Sequence, residues 1–220
     1  MPDADADTFD TWGMAWIHQV YRREFGLMPA LVRGAADGDR QRSGLVASHI
    51  LDMSMSLLDH HQNEDEILWP PLMARLAPDL SLMHRMENAH EQLHELLLET
   101  LDLATKWRED PSAENRNVLA DVVDRLSAAS NDHLADEEAN LMPLVQKHIT
   151  HAEWQEFEAK GAASVSPDKL LMFVGLGLED ATPHELSKLE PLMPPELQQL
   201  WQESGAAEYK RMRAELLGSN

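Results

Sequence analysis

Eleven histidines and no cysteine give this chain nitrogen and oxygen donors but no thiolate, and seven acidic or imidazole residues fall in a series with helical spacing. His18 stands alone, followed by His60 with Glu64, His90 with His94, and His133 with Glu137. In order, the pattern is H, HxxxE, HxxxH, HxxxE. Residues four apart on an α-helix lie one above the other on the same face, so each pair can aim at one place. Four helices packed around a common axis would bring five imidazoles and two carboxylates to one depth, where burial costs heavily unless something satisfies them. A pair of metal ions would do so. The set is too large for one tetrahedral zinc and too rich in nitrogen for magnesium or calcium, and two iron ions bridged by carboxylates fit it best.

The other histidines set the limits of the pattern. His61 lies about 100° around the helix from His60, and His84 points away from the face of His90, so both are expected to face solvent or lie behind the ligands. His49 returns to the face of His60 but about 16 Å along the axis, too far to share a metal. A ferritin-like di-iron bundle would need a Glu-x-x-His motif on each of two helices. Here Glu87/His90 and Glu91/His94 have that spacing, but both lie on the same helix, which disfavours that arrangement.

Four helices are expected to carry the series. The first spans about Thr8 to Ala36, and the second runs from about Arg40 toward Trp69-Pro70-Pro71. The third starts after Pro78 and reaches about Trp107, and the fourth runs from Pro111-Ser112 to about His148, with Ser112 as N-cap. The segments HHQNEDEILWP and HLADEEANLMP resemble each other, each with proline ten residues after its first histidine, which suggests two related helical hairpins. Beyond 150 the histidine pattern stops. Ser166-Pro167, Thr182-Pro183-His184-Glu185 and Met193-Pro194-Pro195 mark short helices there, with Thr182 and Glu185 as a capping box. The expected architecture is all-α: an antiparallel four-helix bundle over 8–150 and a helical C-terminal extension over 151–220 packed on it. Leu170, Phe173, Leu176, Leu192, Leu197, Leu200 and Trp201 are the apolar residues of the extension that need covering.

Composition agrees with a helical domain: 43% of residues are hydrophobic, 5% are aromatic, and no run of alternating β-branched residues occurs. The formal net charge of −21 would repel nucleic acid phosphates and anionic lipids, so neither is an expected partner. The acidic start MPDADADTFD is not expected to act as a secretion signal, and the apolar run near 170 is too short to span a bilayer. A soluble, cytoplasmic protein is expected.

On the segments His18, HHQNE (60–64), HEQLH (90–94) and HLADE (133–137), the chain resembles the hemerythrin family, in particular bacterial hemerythrin-like (HHE cation-binding) domain proteins, over roughly residues 10–150. The C-terminal extension is also similar to that of longer actinobacterial members. The resemblance implies a non-haem di-iron centre with one iron on His90, His94 and His133 and the other on His18 and His60. Glu64 and Glu137 would bridge them together with an oxo or hydroxo group. Oxygen-carrying members use an HxxxxD spacing on the last helix, which makes Glu138 the alternative to Glu137; Glu137 is preferred because i,i+4 keeps it on the face of His133. The implied function is binding of dioxygen or a related small ligand for storage, transport or sensing. The alternative is an enzyme that decomposes hydrogen peroxide or reduces nitric oxide in stress defence. Met14, Tyr21 and Leu57 lie one turn from the first two histidines and are candidates to line the ligand pocket, with the Tyr21 phenol as a possible hydrogen-bond donor to the ligand.

Overall fold

The computed structural model describes residues 9–76 and 80–218, and every regular element in them is helical. In chain order these are α1 (Trp12–Arg33), α2 (Arg40–Asn63), a π turn (Glu64–Leu68), α3 (Trp69–Leu76), α4 (Ser81–Glu109) and α5 (Ala113–Asp136). A second π turn (Glu137–Leu141), α6 (Met142–His148) and α7 (His151–Ser164) follow. The start of the first helix expected near Thr8 and the breaker Pro78 lie outside the described residues.

Local chemistry sets the ends of the long helices. The chain leaves α1 through Gly38, whose φ of 76° is a left-handed conformation that glycine adopts without steric cost. Asp39 then caps α2 by accepting the Arg42 backbone N–H at 2.9 Å. Ser112 is the N-cap of α5. In α4 the buried residues Met83, Met86, His90, Leu93, Leu97, Thr100, Ala104 and Trp107 alternate steps of three and four, the seam of an antiparallel bundle helix. α1 packs on α2 and α5, and α4 packs on the same two, which closes a four-helix bundle.

The two π turns interrupt α2 and α5 at corresponding places. Pro70 and Pro143 stand ten residues after His60 and His133. A proline has no N–H to continue the ladder, and its ring crowds the carbonyl four residues back. The turn before each proline widens instead: the Trp69 N–H donates to the Glu64 carbonyl and the Met142 N–H to the Glu137 carbonyl, each five residues back.

One end of the bundle is closed by an apolar layer containing Met14, Leu68, Trp69, Leu72, Met83, Met86, Leu141, Met142, Val145 and Ile149, with Trp154 and Phe157 from α7. Each such side chain contributes on the order of 1.5–3 kcal/mol when fully buried. The unit therefore extends to Ser164 and the next begins at Val165. The boundary expected at 150 falls later because Trp154 and Phe157 belong to this core.

The second unit holds α8 (Leu170–Leu178), α9 (Pro183–Leu189), a 3-10 turn (Glu190–Leu192), α10 (Pro195–Leu200), a π turn (Trp201–Gly205) and α11 (Ala206–Leu217). The Thr182/Glu185 capping box is formed. A Cβ on Gly175 would lie 2.0 Å from the Tyr209 ring, so only glycine permits this packing. The Tyr209 hydroxyl donates to Glu179 at 2.6 Å, and Arg213 pairs with the same carboxylate at 3.0 Å. Leu176 is buried, whereas Leu192 and Leu200 are exposed. No helix among the described residues is long and apolar enough to cross a membrane.

Candidate metal centre

Four helices each deliver imidazole to one level of the bundle: His18 from α1, His60 and His61 from α2, His90 from α4 and His133 from α5. Their donor atoms form two groups, His18/His60/Glu64 and His61/His90/His133, and within each the atoms lie within 4.8 Å of one another. In the first, His18 Nε2 faces His60 Nε2 at 3.2 Å, and Glu64 Oε1 is 3.3 Å from His60 Nε2. In the second, the His61 and His90 rings stack at 4.3 Å, with His133 edge-on to both at 5.0 and 4.8 Å.

Two carboxylates join the groups. The second oxygen of Glu64 lies 3.5 Å from His90 Nε2, so this side chain spans both triads. Glu137 Oε2 is 3.7 Å from His18 Nε2 and 3.7 Å from His133 Nε2, one from each triad. Both glutamates are fully buried. Glu138, the following residue, points elsewhere and accepts hydrogen bonds from His18 Nδ1 at 2.9 Å and Arg22 at 2.8 Å.

His94 is not brought to the site, since it is exposed on α4. A step of four along a helix turns about 400°, and the inward position one turn after His90 goes to Leu93 in the three-four alternation. His61, expected to face solvent or lie behind the ligands, takes the fifth imidazole place. α2 packs against α1, α4 and α7, so its buried stripe is wide enough to hold consecutive residues, His60 directed to His18 and His61 to His90. The signal in the sequence was the His60-His61 doublet, together with the acid doublets 64–65 and 137–138. His84 is exposed. His49 is buried away from the centre and donates to the fully buried Glu24 at 2.9 Å.

The site is under electrostatic strain that a cation would relieve. Both nitrogens of His61 and His133, Nε2 of His90 and all four carboxylate oxygens of Glu64 and Glu137 are buried without a hydrogen-bond partner. Each such orphan costs about 1–3 kcal/mol. Burial, reinforced by the neighbouring Glu137 carboxylate, pushes the Glu64 carboxyl well above the usual range. Burial and the surrounding imidazoles hold His60 and His61 well below theirs and His133 down at about 3. Neutral imidazoles beside carboxyl groups that a cation would keep ionised form a donor set that fits divalent or trivalent cations.

The sequence model of the hemerythrin HHE cation binding domain matches residues 16–156, which contain both triads and the carboxylates of Glu64 and Glu137. The chain belongs to the hemerythrin HHE family. Neither a curated protein nor a solved structure matches the chain. As an HHE domain the first unit is a cation-binding bundle, and its buried histidine and glutamate groups are the place where a cation would be held.

The surroundings of the HHE centre are apolar on one side and polar on the other. Met14 and Leu57 are buried. Phe157 lies with its ring 6.1 Å from that of His60. Tyr21 is 5.5 Å from His60, but its hydroxyl donates to the Ser56 carbonyl at 3.1 Å and contacts Ser56 Oγ at 3.0 Å, so its proton is already committed. On the polar side, a cleft of about 310 Å³ lined by Asp10, Trp12, Ala15, Met142 and Gln146, among others, reaches Glu138. Burial would raise the Glu138 carboxyl, but the hydrogen bonds from His18 and Arg22 outweigh it and hold it down at about 2.

Proposed function

We propose that this HHE domain holds two iron ions and binds dioxygen or a related small ligand reversibly. His18 and His60 would hold one ion and His61, His90 and His133 the other, with Glu64 and Glu137 between them. The observation that supports this most is the pair of buried triads sharing two otherwise unpartnered carboxylates. Five imidazoles leave the triads unequal, three against two. Bound iron would supply the electrons and the site at which the small ligand is held. The residues of the chain do the rest: Met14, Leu57 and Phe157 keep water from the first triad, and Glu64 and Glu137 tie the two metal positions together.

A dry, apolar wall favours reversible binding over turnover, because loss of the ligand as a charged species is disfavoured there. The commitment of the Tyr21 proton to Ser56 points the same way. One feature favours the second reading, an enzyme acting on peroxide or nitric oxide: the cleft that ends on Glu138 gives water a route to the carboxylate holding His18. The optical spectrum of anaerobically reduced, iron-loaded protein, followed through air, deoxygenation and peroxide, separates the two. A band that comes and goes with oxygen supports binding. Irreversible oxidation in air with rapid oxygen evolution from peroxide replaces it with the enzyme.

A further inference from the structure

Each π turn of the bundle opens on two consecutive acids, Glu64-Asp65 and Glu137-Glu138. The first of each pair is buried between the triads. The second leaves the interior and reaches a histidine on a neighbouring helix from behind: Asp65 Oδ1 lies 2.8 Å from His90 Nδ1 and Glu138 Oε1 lies 2.9 Å from His18 Nδ1. Both histidines turn their other nitrogen inward, with His90 Nε2 3.5 Å from Glu64 and His18 Nε2 3.2 Å from His60 Nε2. The correspondence is the same on both sides: one turn, one inward acid, and one acid reaching across to a different helix.

An ionised carboxylate only accepts hydrogen bonds, so Nδ1 must carry the proton and the lone pair is left on Nε2, where a metal needs it. We propose that Asp65 and Glu138 are positioning residues that fix the tautomer and ring orientation of His90 and His18, one for each metal position. The inference rests on the two-ion reading above. It also accounts for the π turns, whose wider pitch lets successive residues serve the centre and the next helix together.

The two locks differ in their surroundings. Glu138 is shared with Arg22, which takes part of its negative charge, whereas Asp65 has no cationic partner among the described residues. An anionic hydrogen-bond partner raises the basicity of the histidine it holds. Asp65 is about half exposed, so solvent screens its charge much as Arg22 offsets that of Glu138, and loss of either acid should weaken its own metal position to a similar extent.

The test is anaerobic titration of the metal-free chain with Co(II) alone, against a competing chelator, in wild type, Asp65→Asn, Glu138→Gln and the double variant. Glu66→Gln, an exposed acid in the same turn, serves as control. Wild type and control are expected to bind two ions. Asp65→Asn should weaken one binding phase by about 10–100-fold, Glu138→Gln the other phase to a similar extent, and the double variant both, while the melting of the metal-free proteins stays that of wild type. Asp65→Glu, which keeps the carboxylate, should restore most of the affinity and covers the case in which the asparagine variant misfolds. Unchanged affinities, or both variants weakening the same phase, would overturn the proposal. Lowered melting of the metal-free protein with normal metal binding would also overturn it, by making the acids merely structural. Failure of wild type to bind two ions would show instead that the two-ion reading is wrong, and this inference with it.

Discussion

Three imidazoles and a carboxyl at the centre of the bundle have proton affinities shifted away from those they show in water. His60, His61 and His133 are held below the ordinary histidine value of 6.5, His133 at about 3, and Glu64 is held above the ordinary carboxyl value of 4.5. A histidine whose folded pKa is depressed binds its proton only on unfolding, so its contribution to stability is present above 6.5 and is lost as pH falls toward the folded value. Glu64 acts in the opposite sense: its contribution is present below 4.5 and is lost as pH rises through its elevated folded value. Three groups outnumber one. The metal-free protein should therefore lose stability on acidification from pH 7 to pH 5, by about 1.4 kcal/mol per pH unit for each net proton taken up on unfolding. Urea midpoints at the two pH values check this, and a midpoint that is constant or rises in acid would contradict it. The residue scale also explains why His94, expected at the centre, is exposed instead. HxxxH at 90 and 94 is a sound helical pair in isolation, but helix α4 follows a three-four seam that gives the inward position to Leu93, and no local pattern reveals which neighbours a helix will have.

At the scale of elements, the starts and stops were readable where a side chain supplies the cap. Ser112 and the Thr182/Glu185 box act through hydrogen bonds to backbone within three residues, so their partners are fixed by the sequence itself. The π turns were not readable as such, although the repeat with proline ten residues after each histidine marked their place. Widening a turn is one response to proline among several, and the buried acid that benefits is known only once the neighbouring helices are in position. α7 was separated from the bundle because it carries no candidate ligand, yet Trp154 and Phe157 complete the apolar layer beneath the centre. Phe157→Ala should accordingly cost about 3–5 kcal/mol, while Met55→Ala, at a side chain 48% exposed, should stay within about 0.5 kcal/mol of wild type. Chemical denaturation of both variants checks the contrast. Equal, small losses would mean that α7 is peripheral to the first unit.

For the whole molecule, the all-α bundle followed from periodicity and punctuation, because long amphipathic helices joined by short connections have few ways to bury their apolar faces. The division into units did not follow, since the change in sequence character at 150 marks the end of the ligand series and not the end of the core, which closes at Ser164. The central claim is that this core is built around two cations, held by His18 and His60 on one side and by His61, His90 and His133 on the other. A cation bound only by the folded state stabilises it by about 2.7 kcal/mol at a concentration one hundred times its Kd, so the folded bundle and its metal content are linked quantities. The most direct measurement is anomalous diffraction at the iron edge from crystals of the iron-loaded chain. The account predicts two iron positions per chain, one within coordination distance of His61, His90 and His133 and the other of His18 and His60. A single position, or His94 in coordination distance where His61 should be, would contradict it.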